Sequence, residues 1–280
     1  MRRLFCFGLG YCAERLAHRL GAESWAIAGT TRDVAGTSHA FDVVPFSRER
    51  CLPAGVLTGT THLLVSIPPD EEGDPALDGH EAELAALGPS LRWVGYLSTT
   101  GVYGDHAGGW VDESTPTAPT SPRAARRVAA ERRWLASGLP VHVFRLAGIY
   151  GPGRSLLDDV LEGTAQSVVK PGQVFSRIHV DDVARVLAAS IGRPNPGAIY
   201  NVCDDEASPS DAVIAYACGL VGVPVPPTVP FEQADLSPMA RSFWNDNKRV
   251  SNRRIHEELG VALGYPSYRE GLSAIWKASA

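Results

Sequence analysis

Cysteine is scarce and scattered in this chain: Cys6, Cys12, Cys51, Cys203 and Cys218 are the five, and no two stand in a C-x-x-C spacing. That pattern excludes a disulfide frame or a cysteine metal site, and reads as small buried apolar residues in a reducing compartment. No apolar stretch approaches the roughly 18 continuous residues of a membrane span. The N-terminal apolar segment is short and interrupted by glycine, unlike a signal peptide. A cytoplasmic protein with no membrane partner is expected. Net charge is −5 and no run reaches five like charges, so nothing signals a nucleic-acid partner. There is no internal repeat, no low-complexity segment, and no Ser-His-Asp or Cys-His nucleophile pattern. What remains is a chain of 280 residues, 44% hydrophobic and 20% charged, long enough for one large α/β domain or two lobes.

The most informative stretch is Arg2-Arg3-Leu4-Phe5-Cys6-Phe7-Gly8-Leu9-Gly10-Tyr11-Cys12-Ala13. A short apolar run ends in two glycines, a small residue follows, and Leu16, Ala17 and Leu20 then recur at helical spacing. This is the strand–turn–helix setting in which G-x-G-x-x-G/A binds a dinucleotide. The glycines let the backbone approach a pyrophosphate, and the helix start at Tyr11 and Cys12 aims N–H groups at its oxygens.

Further short apolar runs alternate with helical patterns. Strands are expected at 25–28, 62–67, 93–97, 141–146 and 199–202, and helices around 77–87, 123–137 and 181–191. Strands apolar on both faces, separated by helices, predict a doubly wound parallel sheet. Pro224, Pro226, Pro227, Pro230 and Pro238 are expected to break any long element in 204–250, and Ser251 to cap a final helical region.

About 20 residues past the glycines, an NAD site would carry an acid for the ribose hydroxyls. Here stand Thr30, Thr31 and Arg32, with no acid before Asp33. Two hydroxyls and a cation suit a 2′-phosphate, so NADP is favoured and NAD stays possible. Arg32 is otherwise a solvated turn residue. Asp42, expected after a short third strand, either accepts from the adenine amino group or caps the turn before Pro45. Ser66 and Ile67, ending the 62–67 strand, complete the expected cofactor contacts.

The segment Leu97-Ser98-Thr99-Thr100-Gly101-Val102-Tyr103-Gly104 resembles the S-[ST]-x-x-V-Y-G strand end of the extended short-chain dehydrogenases/reductases of the epimerase/dehydratase type. Three more ordered motifs look like that family's: Arg145 to Gly153, Arg177 to Ala184, and Tyr200-Asn201-Val202. The resemblance implies a Rossmann-type fold with a small interleaved C-terminal lobe. The division expected is 1–152 with 177–203 for the dinucleotide domain, and 153–176 with 204–280 for the substrate lobe. It also implies a catalytic Ser/Thr, a Tyr, and a Lys four residues after the Tyr. Thr99 takes the hydroxyl place. Aligned on Ser121-Pro122 and Glu131, the Tyr place holds Arg123 and the Lys place Arg127.

The usual proton donor is thus missing, and guanidinium cannot replace it. Arg127 remains as a permanent cation for the ribose or phosphate. Tyr103 and His106 are candidate replacement acids. Arg123 is either an exposed helix residue or part of the site. His179 with Asp181 and Asp182 reads as a helix start rather than a metal site. Trp110 is read as a cover for its loop. The implied function is an NADP-dependent oxidoreductase or epimerase-like enzyme acting on an unknown small carbonyl, alcohol or nucleotide-sugar substrate. The alternative is a non-catalytic NADP(H)-binding sensor or partner-binding protein. Pairing into a homodimer through the helices at 77–88 and 123–137 is a further implication of the family.

Overall fold

The computed structural model describes residues 2–32 and 40–279. Its first half contains strands β1 (Arg2–Phe7), β2 (Trp25–Thr31), β3 (Asp42–Pro45), β4 (His62–Val65), β5 (Trp93–Thr99) and β6 (Trp110–Val111). Then come β7 (Val141–Leu146), β8 (Gly148–Tyr150), β9 (Ser167–Val169), β10 (Arg177–His179), β11 (Ile199–Val202), β12 (Thr228–Pro230) and β13 (Arg249–Val250). The helices are α1 (Tyr11–Leu20), α2 (Pro75–Leu87), α3 (Pro122–Ala136), α4 (Leu156–Leu161) and α5 (Val180–Gly192). They continue with α6 (Ser210–Val221), α7 (Pro238–Ser242), α8 (Arg253–Glu257) and α9 (Tyr268–Ser279).

Seven strands form the central sheet in the order β11-β7-β5-β4-β1-β2-β3, every neighbouring pair parallel. The period-two pattern of β1 explains its burial. Leu4 and Cys6 join the core under α1 and α5, with Leu16, Ala17, Val183 and Leu187. Phe5 and Phe7 join the opposite core with Leu77, Leu84 and Trp134 of α2 and α3. A sheet covered on both faces must be apolar on both, and this one is the doubly wound Rossmann arrangement.

Outside the sheet, α4, α6 and α9 share a third apolar cluster around Leu157, Ile214 and Leu272. A smaller one gathers Val168, Ala234 and Trp244 beside the β9–β12 pair. The structure departs from the sequence reading here. Residues 210–221 form α6, a full helix that ends at Gly222 before the prolines begin. Ser251 is not the cap of α8; Asn252 occupies that place, without a side-chain bond. Ile255, Leu259 and Val261 pack into the sheet core rather than the outer clusters, so the stretch expected to belong wholly to a C-terminal lobe divides between two cores. Among the described residues no helix is long and apolar enough to cross a membrane.

Candidate active site

The strand order reverses between β1 and β4, and ligands of open α/β sheets bind outside the carboxyl ends at such a point. There Gly8 has φ +88°, a left-handed conformation that costs an L side chain energy. A Cβ on Gly8 would stand 2.8 Å from Ile67 Cγ2. Its N–H donates to Thr30 Oγ1 at 2.7 Å, and Leu9 N–H to the Thr30 carbonyl at 2.7 Å. Ser66 and Ile67 both donate their N–H to the Phe7 carbonyl, at 2.8 and 3.2 Å. Gly8, Thr30, Ser66 and Ile67 therefore form one braced turn across three strand ends. Gly10 caps α1 in extended backbone with no side-chain bond, which leaves the first-turn amides to another acceptor.

Cys12 is buried, and burial pushes its thiol up to about 11. Tyr11 Oη donates to the Pro152 carbonyl at 3.1 Å and packs against Gly151, tying the start of α1 to the loop after β8. Thr30 is 2% exposed. It braces Gly8, a role its sequence position did not reveal. Thr31 ends β2 half-buried and Arg32 follows it exposed; Asp33 lies outside the described residues. Asp42 opens β3 instead of following it. Paired with Ala28, it is held back from the carboxyl edge where Thr31 meets Pro45, so the adenine contact expected of it is not supported by its position.

At the other side of the switch, Thr99 closes β5 half-buried, and its Oγ1 accepts the Gly101 N–H at 3.1 Å. The accepting hydroxyl still has its own proton to donate. Arg127, on α3, donates to the Leu97 carbonyl at 2.5 Å and to Tyr96 Oη at 3.3 Å. Thr99 and Arg127 are thus brought to the same strand end.

Tyr103 is not. Its side chain is fully buried, donates to Asn201 Oδ1 at 2.7 Å and accepts from Arg145 Nη1 at 2.9 Å. Burial pushes its phenol above the usual range, which opposes proton transfer near neutrality. The structure corrects the catalytic expectation to a structural role. Tyr103 belongs to a buried network in which Arg145 also binds Glu131 at 2.8 Å and Ser98 Oγ donates to the same carboxylate at 2.5 Å. Every member is near the sheet, yet their partnership crosses four elements and leaves no spacing signal.

The His106 ring nitrogen Nε2 lies 3.2 Å from the Tyr103 carbonyl, and its backbone N–H donates to the Asn247 carbonyl at 3.0 Å. His179 accepts the Asp181 N–H, as a helix cap, and its ring lies tilted against Tyr265 with centroids 3.9 Å apart. Among the described residues no three His, Cys, Asp or Glu side chains form a metal-binding group. Trp110 is an exposed rim residue of a hollow of about 260 Å³ with Asp112, Thr115 and Ser251. Sequence reasoning also missed Lys248, which reaches back to the Gly104 carbonyl at 2.8 Å and to Asp246. Burial lowers its ammonium pKa.

Residues 84–203 match the model of the NAD dependent epimerase/dehydratase family. Over that segment, a little under half of its length, the chain is similar to the NAD dependent epimerase/dehydratase family. It is 52% identical to a functionally unknown conserved protein from Silicibacter pomeroyi DSS, with TM-score 0.92 over 100% of this chain and 99% of that one. It is 26% identical to Protein YeeZ of Escherichia coli K12 over 95% of this chain and 97% of the relative. The fold is shared at 18% identity and TM-score 0.76 with dTDP-glucose 4,6-dehydratase of Bacillus anthracis in complex with NAD, covering 99% and 96% of the two chains. It is also shared with the human epimerase family protein SDR39U1 bound to NADPH, at 15% identity and TM-score 0.72 over 99% of each chain.

Proposed function

We propose that the chain binds a nicotinamide dinucleotide at the Gly8–Ala13 turn and reduces or oxidises a small carbonyl or alcohol substrate beside Thr99. The observation that carries this reading is the turn itself: Gly8 leaves no room for a Cβ, and its flanks are braced by Thr30, Ser66 and Ile67. Similar folds hold NAD and NADPH in their solved structures. Thr31 at the end of β2 and Arg32 just after it favour NADP. When bound, the cofactor supplies or takes the hydride.

The chain's own groups do the rest. The first-turn amides of α1 receive the pyrophosphate. Arg127 stands by as a fixed cation for the ribose, and the Thr99 O–H polarises the reacting oxygen. In the reducing direction one hydride and one proton convert the carbonyl to an alcohol. With Tyr103 locked in its network, water is the proton source. The substrate side comprises parts of 153–176 and 204–248, and the setting is cytoplasmic.

Calorimetry with NADPH and NADH tests the cofactor; failure of both to bind in the micromolar range overturns the reading. Substrate-dependent NADPH oxidation that Thr99→Ala abolishes supports the enzyme. The absence of a phenol in α3 favours a second reading, a non-catalytic NADP(H)-binding protein. Cofactor binding without turnover on a carbonyl and nucleotide-sugar panel would select it.

A further inference from the structure

Arg123 lies on the first turn of α3, beside the turn that Thr99 caps. The next residue, Ala124, is 3.9 Å from where a Gly101 Cβ would stand. Arg126 and Arg133 of the same helix pair with Glu71 and Asp78 at 2.8 and 2.7 Å. Arg123 has no carboxylate within ion-pair distance among the described residues. Its guanidinium carbon instead sits 4.8 Å from the centre of the Phe243 ring. Phe243, just after α7, is 53% exposed. A guanidinium carbon held over a ring still has N–H donors in one plane to offer a bidentate oxyanion. Arg127 lies one turn behind, and Lys248 reaches the same β5 loop at Gly104. Of the acids around Lys248, Asp246 is engaged by Lys248 and by the Thr120 hydroxyl at 2.7 Å, and Asp105 accepts the Asn247 N–H at 2.8 Å.

We propose that Arg123, backed by Phe243, anchors an oxyanion group of the substrate, a carboxylate or a phosphate, so that the substrate is an anionic carbonyl or hydroxy compound. This rests on the dinucleotide reading, which puts the reacting carbon beside Thr99. A residue at the place of the missing tyrosine then binds substrate instead of moving a proton.

The full chain is titrated by calorimetry with malonate, inorganic phosphate and neutral malonamide, each with and without saturating NADPH. At least one anion binds and malonamide does not. Arg123→Ala weakens the anion about tenfold, as loss of a bidentate charged contact should. Arg123→Lys, which keeps the charge but not the fork, recovers part of the loss. Arg132→Ala removes the same charge from an exposed position of the same helix and leaves affinity unchanged. Preference for malonate assigns a carboxylate, and preference for phosphate assigns a phosphate. Equal weakening by Arg132→Ala, equal binding of malonamide, or no anion binding overturns the proposal. Failure of NADPH to bind overturns the dinucleotide reading instead, and the dependence on Arg123 is then read in the cofactor-free arm.

Discussion

Asp204 follows β11 at the carboxyl edge, 3% exposed, with its N–H donating to the Arg177 carbonyl at 2.7 Å. Its Oδ2 has no hydrogen-bond partner in the structure. Burial pushes its pKa up to about 8, against the pull of the Arg177 guanidinium, with Asp205 adding repulsion. The folded state therefore holds a proton that the unfolded chain releases near pH 3.8. The stabilising contribution is complete below that value and is lost as pH rises toward about 8. Asp204→Asn carries no such proton. Thermal melts should show the variant gaining on the parent steadily from pH 4.5 to about 8. Parallel curves would refute the assignment. Nothing in the sequence marks Asp204 apart from Asp205 beside it, because burial separates them and burial is a property of the packed chain.

Helix α3 carries both Arg123 and Arg127. Its register against β5 is held by Glu131, which is buried and accepts from Ser98 on β5 and from Arg145 on β7. Removing one partner of a buried ion pair strands the other charge and typically costs about 3–5 kcal/mol. Glu131→Ala should lower unfolding free energy by about that much in denaturant melts, and adding Arg145→Met should restore most of it. If the double variant is no more stable than the single one, the pair is not the link between helix and sheet. The extents of α3 and α5 were readable from spacing and caps. The existence of α6 was obscured by a proline-rich stretch that begins only after the helix has ended.

Among the described residues the sheet carries an apolar core on each face and three smaller clusters lie beside it, with the Gly8–Ala13 turn at the sheet's switch point. A ligand that binds only the folded form stabilises it by about 2.7 kcal/mol at a hundredfold excess over Kd. NADPH at that excess should raise the unfolding midpoint by several degrees. A Gly8→Val variant, strained at φ +88° and crowded by Ile67, should show no such rise. A rise of the same size in the variant would separate binding from the Gly8 turn. Pairing of two copies through the outer faces of α2 and α3 stays a proposal, to be decided by light scattering.

Read alone, the sequence determined the class of sheet and the strand–turn–helix at Gly8–Ala13; that Thr99 and Arg127 meet at one strand end came from the structure. The first two follow from local spacing: alternation along strands, helical periodicity, and glycine where a turn needs positive φ. Only the tertiary structure decided that Tyr103 is locked in a buried network, that Thr30 braces Gly8, that Asp42 opens its strand, and that Arg123 meets Phe243. Each depends on residues distant in the chain coming within hydrogen-bond or stacking reach, and on whether water is excluded around them. Spacing along the chain encodes neither.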